Sequence, residues 1–454
     1  MPSVNRDRLA SLVDRERATY TDTHPRSAEL YGSAEHLFGR VPMTWMNMWS
    51  GGFPLYLDRA WGNRVVDVDG HEYVDLAMGD TGAMAGHSPR PTVEAVAHRI
   101  GDLGGITTML PTADAEWVGA ELARRFGLPL WSFTLTATDA NRWAIRLARL
   151  ATGRSKVLTF AYCYHGSVDE AFAVPGPSGE AVARAGLVGA PVPLDATTRV
   201  CEFNDLDAVE KQLAHGDVAA VLTEPALTNI GIVLPEPGFL AGLRRLATKY
   251  GALLMIDETH TFSAGPGGAT AAWGLEPDIL VIGKSIGGGI PSGAYGISAE
   301  VAAMVEGDDD ADLVDVGGVG GTLAGNALSV AAMRATLEHV LTDTAFERMS
   351  ELATVFTAGV QDTIDRTGLP WSVSRLGARA EYRFASPAPR DGSSSAASAD
   401  DELDEYLHLY LANRGVLITP FHNMALMCPD TTAADVALHT RLFAEAVDEL
   451  VRDR

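Results

Sequence analysis

Cysteine is nearly absent from this chain: Cys163, Cys201 and Cys428 are the only three, widely separated and odd in number. They make no disulfide framework and no thiolate metal pattern, and they fit a reducing compartment. Long apolar runs are missing as well. No stretch approaches the roughly 18 consecutive apolar residues of a membrane-spanning helix. The first residues, MPSVNRDRLASLVDRERATY, lack the apolar core of a signal peptide. Basic charge is scarce: 35 Lys and Arg face 59 Asp and Glu, a formal net charge of −24. Such a balance argues against nucleic acid or an anionic membrane as partner, although an anionic cofactor needs only local donors. A soluble cytoplasmic protein without a metal site is the expectation.

What is present is concentrated between Gly251 and Gly296. An apolar run, Leu253–Ile256, stops at Asp257-Glu258, and a second, Ile279–Ile282, stops at Gly283-Lys284. Both are short and bounded by turn residues, as buried parallel strands are. In open α/β sheets the chemistry gathers where such strands end. One strand thus delivers a carboxylate and another an amine. A lone Asp and a lone Lys at strand ends are ordinary turn residues, so the flanking sequence has to decide. At a shielded site a lysine favours its neutral form and can condense with an aldehyde. Pyridoxal 5'-phosphate (PLP) is the usual aldehyde, and an aspartate at its ring nitrogen keeps the ring electron-withdrawing.

The rest of the chain supplies further punctuation. A helix with Leu9, Leu12 and Val13 on one face is expected near the start, and an apolar, aromatic segment follows with Trp45, Met46, Met48 and Trp49. Such a run is core or interface as often as ligand pocket. Alternating residues around Asp69-Gly70 predict a hairpin over Arg64–Asp75. A strand at Trp131–Leu135 enters the polar turn Thr136-Ala137-Thr138-Asp139 and then a helix through Arg149. The free N–H groups of such a helix start suit an anion. Further strands are expected at Val157–Phe160, before Tyr162-Cys163-Tyr164-His165-Gly166, and at Ala219–Thr223, before Glu224. Long helices at Ala331–Leu341 and Ala345–Arg366 and a strand near Ala380–Phe384 follow, and the Ser/Ala-rich stretch Asp391–Asp400 reads as a mobile loop.

Asp257-Glu258-Thr259, Pro277-Asp278, Gly283-Lys284 with its glycine run, Pro291-Ser292-Gly293-Ala294 and Gly321-Thr322-Leu323-Ala324-Gly325-Asn326 together resemble the class III, fold type I, PLP-dependent aminotransferases, in the style of glutamate-1-semialdehyde aminomutase. The resemblance runs from about Phe53 to the C-terminus. It implies an α/β fold type I transferase with a large, mostly parallel-sheet domain and a small α+β domain from both chain ends. The expected boundaries are 1–75 and 331–454 for the small domain and 76–330 for the large one. It further implies that Lys284 is the Schiff-base lysine and Asp257 the partner of the ring nitrogen. Ala137 and Thr138 would hold the cofactor phosphate, Tyr164 would stack on the ring, and Glu224 would lie close by. Thr259 and His260 depart from the family's usual residues beside the cofactor. Thr322 would reach the phosphate of the other subunit, so a homodimer with shared active sites is implied.

For the substrate, Arg40, Trp45 and Met46 are candidates in the N-terminal segment, and Arg379 and Arg383 share a face of the late strand. One of those two arginines is expected to face solvent. The apolar segment favours an aminotransferase moving an amino group between an amino acid or amine with an apolar portion and a keto acid or aldehyde. Intramolecular amine transfer of the aminomutase type is the alternative, as is racemisation or epimerisation.

Overall fold

The computed structural model describes residues 4–452 apart from 190–191, 309 and 315–316. The chain divides into two units. The larger one comprises 89–346 and 389–397. Its centre is a seven-stranded sheet. The strand order is Leu130–Thr134, Gly293–Ile297, Ile279–Gly283, Leu253–Asp257, Val218–Thr223, Lys156–Phe160 and Thr198–Cys201. Gly293–Ile297 runs antiparallel to both of its neighbours, and the other strands are mutually parallel. Every residue of Val218–Thr223, Leu253–Asp257 and Ile279–Gly283 is buried. That is why these strands read as unbroken apolar runs: both faces are covered by crossover helices.

The helices carry the matching apolar faces. Ala137–Thr152 buries Ala140, Trp143, Ala144, Leu147 and Ala148, and Gly153 ends it in the left-handed conformation. Phe239–Tyr250 buries Phe239, Leu243 and Ala247. Phe239 meets Phe160 and Phe203 edge to face, with centroids 5.8 and 4.6 Å away. Truncating a core residue such as Ile256 to Ala would cost about 2–5 kcal/mol.

The smaller unit comprises 1–88, 347–388 and 398–454. The first helix, Arg6–Thr23, buries Leu9, Leu12 and Val13 as expected. The expected hairpin forms from Arg64–Asp67 and Glu72–Asp75, with Gly70 at φ +92° in its turn. Val416–Leu417 pairs in parallel with Glu72–Asp75. This pairing makes one unit of both chain ends. A second sheet places Arg379–Arg383 between Ser372–Leu376 and Met424–Leu426.

Three expectations change. The boundaries fall at 88 and 346 rather than 75 and 330, because helix Ala327–His339 packs on Arg90–His98 and Ala113–Phe126 within the large unit. The Ser/Ala-rich stretch is not a free loop: it forms the helix Gly392–Ala397 and belongs to the large unit. Its polar composition is used in hydrogen bonds, Ser395 Oγ to the Ile230 carbonyl at 2.5 Å and Ser393 Oγ to Glu202. Finally, neither Arg379 nor Arg383 faces outward. Every residue of their strand is buried, so the period-two face they share is covered.

Candidate active site

Asp257 is the last residue of its strand, and Lys284 follows directly on the neighbouring one, with Asp257 in register with Val281. The two functional groups are therefore brought to one end of the sheet by backbone pairing. Lys284 opens a short 3₁₀ turn with φ +53°. That left-handed conformation costs a non-glycine residue about 1–2 kcal/mol, and it marks the turn as held in place by its surroundings. Gly283 permits the close fit. A Cβ there would meet the Cβ of Ala137 at 2.9 Å.

Asp257 is buried and meets three donors. Its Oδ2 lies 2.9 Å from His165 Nδ1 and accepts from Asn141 Nδ2 at 2.8 Å, while Oδ1 accepts from the Thr259 amide at 3.0 Å. Burial alone would raise the Asp257 pKa; the His165 hydrogen bond and charge, with Thr259 and Asn141, outweigh it and hold it low. Burial alone would likewise lower that of His165; the Cys163 sulfur and the Asp257 carboxylate outweigh it and push it up. Both shifts favour a carboxylate that stays ionised with His165 hydrogen-bonded to it. Oδ1 still has a lone pair for one further donor.

Lys284 Nζ lies 2.9 Å from His260 Nε2. An imidazole is thus one close neighbour of the amine. Thr259 is buried, and its hydroxyl has no hydrogen-bond partner among the described residues.

The turn after Leu130–Thr134 forms the N-terminus of helix Ala137–Thr152. Thr136 is the N-cap, accepting from the Asp139 amide, and it donates to Asp139 Oδ2 at 3.0 Å. Asp139 is thus spent on the cap. Thr138 Oγ1 accepts from the Ser167 amide at 3.2 Å and presses on Gly166, where a Cβ would meet that oxygen at 2.1 Å. Tyr164 is half-buried, its ring edge-on to Phe172 with centroids 6.4 Å apart. Glu224 is buried and closes its own loop, accepting from the amide and hydroxyl of Thr228.

Residues 45–445 match the family described as Aminotransferase class-III. The chain belongs to that family. A glutamate-1-semialdehyde 2,1-aminomutase of Roseiflexus castenholzii is 36% identical over 380 residues, 82% of this chain and 84% of that protein. A crystal structure of a glutamate-1-semialdehyde-aminomutase variant from Pseudomonas aeruginosa PAO1, in complex with PMP, matches with TM-score 0.95 and 49% identity. That match covers 99% of this chain and 100% of the other. An omega-transaminase from Sphaerobacter thermophilus matches with TM-score 0.84 and 29% identity over 93% of this chain and 97% of its own.

As a class-III, fold type I enzyme the protein uses PLP. The residues present fit that group. Lys284 would supply the amine, and Asp257 would offer a carboxylate with a lone pair to spare. The start of helix Ala137–Thr152 would offer N–H groups to a phosphate, and the buried Thr259 hydroxyl, without a hydrogen-bond partner among the described residues, would be available to a ligand. Asn141 was not legible as a site residue; an Asn one turn inside a helix, where its propensity is poor, is the signal that was there.

Thr322 is exposed on a surface segment beside Met109 and Leu110. In the small unit Arg40 is exposed, its guanidinium 3.4 Å from the Gly32 carbonyl. Trp45 and Met46 are exposed too, the Trp45 ring edge-on to Phe421 at 5.6 Å. Arg379 is fully buried and donates to Thr81 Oγ1 at 3.2 Å. Arg383 is 9% exposed and donates to Ser398 Oγ at 3.0 Å.

Proposed function

We propose that this enzyme moves an amino group between adjacent carbons of one small substrate, glutamate-1-semialdehyde or a close analogue. The observation that carries the reading is the end-to-end likeness to the Pseudomonas aeruginosa aminomutase, 49% identical over 99% of the chain, against 29% for the omega-transaminase. This reverses the preference for transfer between two molecules drawn from the apolar N-terminal segment. PLP, when bound, supplies the electron sink and the amine carrier. The chain's own residues do the rest. Lys284 Nζ would hold the cofactor and, when its amine is free, would move the proton at the reacting carbons. His260 Nε2, 2.9 Å away, orients that amine. Asp257, held ionised by His165 and Asn141, keeps a proton on the cofactor's ring nitrogen.

A second reading, transfer between molecules, is favoured by one feature. Met43, Trp45, Met46 and Met48 are all exposed, and that run between Val41 and Trp49 contains no cation to grip a carboxylate. The deciding experiment gives the PLP-loaded enzyme glutamate-1-semialdehyde alone, then amines with pyruvate, 2-oxoglutarate or aldehydes as acceptors. Formation of 5-aminolevulinate without any acceptor is expected. Acceptor-dependent turnover, with no reaction of the semialdehyde alone, would establish the second reading instead.

The working form we infer is a cytoplasmic homodimer, in which Thr322 contributes to the partner's phosphate site. In support, Met109 and Leu110 beside the Thr322 segment are 80% and 70% exposed, an unusual load of bare apolar surface for a finished monomer.

A further inference from the structure

The small unit contains a cluster of metal-competent groups, unrelated to the PLP chemistry. His24 stands between helix Arg6–Thr23 and helix Pro25–Ser33, capping both. Its Nδ1 lies 2.6 Å from the Tyr20 carbonyl. Only an N–H makes that contact, so in the neutral ring Nε2 carries the lone pair. Nε2 lies 2.8 Å from the Tyr73 hydroxyl and 3.5 Å from Asp67 Oδ2. The Tyr73 hydroxyl is also 2.7 Å from Asp67 Oδ2, and His71 Nδ1 approaches that oxygen at 3.2 Å. Tyr73 has one proton for two acceptors, so one electron pair is left facing the others. Electron-rich donors that converge in this way suit a cation.

The geometry matches one type of cation. The three donor atoms lie within 4.8 Å of one another. Bonds of about 2.0–2.1 Å in a tetrahedron separate donors by about 3.3 Å. The separations of 3.5 and 3.2 Å to Asp67 are already close to that. A metal-bound histidine typically gives its other N–H to a carbonyl or carboxylate, which His24 does to Tyr20. The carboxylate is oriented as well: Asp67 Oδ1 accepts from the amides of Asp69 and His71, each at 2.9 Å, leaving Oδ2 toward the rings. Asp69 in turn accepts from the amides of Arg26 and Ser27 and from Ser27 Oγ, which fastens the chain after His24 to the hairpin turn. The His24 and Asp67 side chains are 3% and 0% exposed, but His71 is 41% exposed, so the cluster has one open side.

We propose that His24, Asp67 and His71 bind a borderline divalent cation of the zinc class, with the Tyr73 hydroxyl beside it. Two imidazoles and one carboxylate select zinc, cobalt, nickel or copper over magnesium or calcium. The bound ion clips the first helix to the hairpin Arg64–Asp75 and stabilises the folded state by binding it alone. The sequence hides this site because its ligands come from a helix end and a turn more than forty residues away.

The test uses untagged, PLP-loaded enzyme freed of excess cofactor and of metal. Cobalt(II) titration should develop a visible d–d band saturating at one ion per chain. Zinc should displace it, and zinc should raise Tm in a concentration-dependent way that a chelator reverses. His71→Ala changes only the exposed ligand, so the protein should fold, and its cobalt affinity should fall at least about tenfold, as the loss of even an outer-shell partner can do. Asp67→Asn should act in the same direction. Absence of a d–d band, a zinc-independent Tm, or cobalt affinity unchanged in His71→Ala would each overturn the proposal. Amine-transfer activity is read separately, so failure here leaves the reaction proposed above untouched, and failure there leaves this site untouched.

Discussion

At the scale of the residue, the active site rests on one amine and one carboxylate whose neighbours define their states. Lys284 is the group expected to carry the cofactor. Borohydride reduction followed by peptide mapping should place the adduct on Lys284, and Lys284→Ala should keep its fold while losing turnover. An adduct mapped to another lysine would reject the assignment. Asp257 is the electrostatic partner. Its low pKa is a direct consequence of His165, Asn141 and the Thr259 amide. Asp257→Asn should still retain PLP but slow proton abstraction by on the order of 10²–10³-fold, the usual loss for a well-placed charge. Near-parental single-turnover rates in that variant would show that the carboxylate is structural only.

At the scale of the element, the turn at Thr136–Asp139 depends on glycines in the strands beside it. A Cβ at Gly293 would meet Thr134 Oγ1 at 2.4 Å and the carbonyl carbon and oxygen of Thr136 at 2.8 Å. These are backbone and near-backbone atoms that cannot step aside without moving the N-cap. Gly293→Ala should therefore lower both Tm and PLP retention, measured as absorbance left after dialysis. Unchanged retention would detach the turn from the cofactor. In the small unit, helix Asp401–Ala412 holds Asp404, whose carboxyl burial pushes up to about 6 against the opposing pull of Asn423 and Arg383. The folded pKa exceeds the ordinary aspartate value of 3.8. Its contribution is thus complete below that value and is lost as pH rises through about 6. Asp404→Asn removes that loss and keeps an acceptor for Asn423 Nδ2, which now donates at 2.6 Å. The variant's Tm should exceed the parent's at pH 8 by more than it does at pH 5. An equal offset at both would contradict the assignment.

At the scale of the molecule, the exposed surface around Thr322 points to self-association. Sedimentation should show a dimer at assay concentrations. Thr322→Ala should speed PLP loss without changing the dimer, because the residue is exposed and a single hydroxyl at the surface adds little to the fold of its own chain. A fully active, PLP-retaining monomer would refute shared active sites. Among the described residues no helix is long and apolar enough to cross a membrane, in keeping with the absence of long apolar runs.

The sequence by itself determined the parts whose signal is local. Short apolar runs ending at Asp257 and Lys284 are strands because a doubly covered parallel sheet needs continuous apolar side chains. The hairpin about Asp69-Gly70 and the cap at Thr136 are local chemistry too. The tertiary structure decided what depends on residues distant in the chain. Asn141 and His165 are 116 and 92 residues from the carboxylate they hold. Nothing in the neighbourhood of Asn141 announces that partnership. Arg379 and Arg383 sit on one face, as period two requires, but only packing in the folded chain shows that this face is covered. The polar stretch at Gly392–Ala397 is helical because Ile230 and Glu202 accept its hydroxyls, and composition cannot report an acceptor. Convergence of His24 with Asp67 and His71 is likewise a property of the folded chain: loop closure brings the donors together, and spacing in the sequence carries no trace of it.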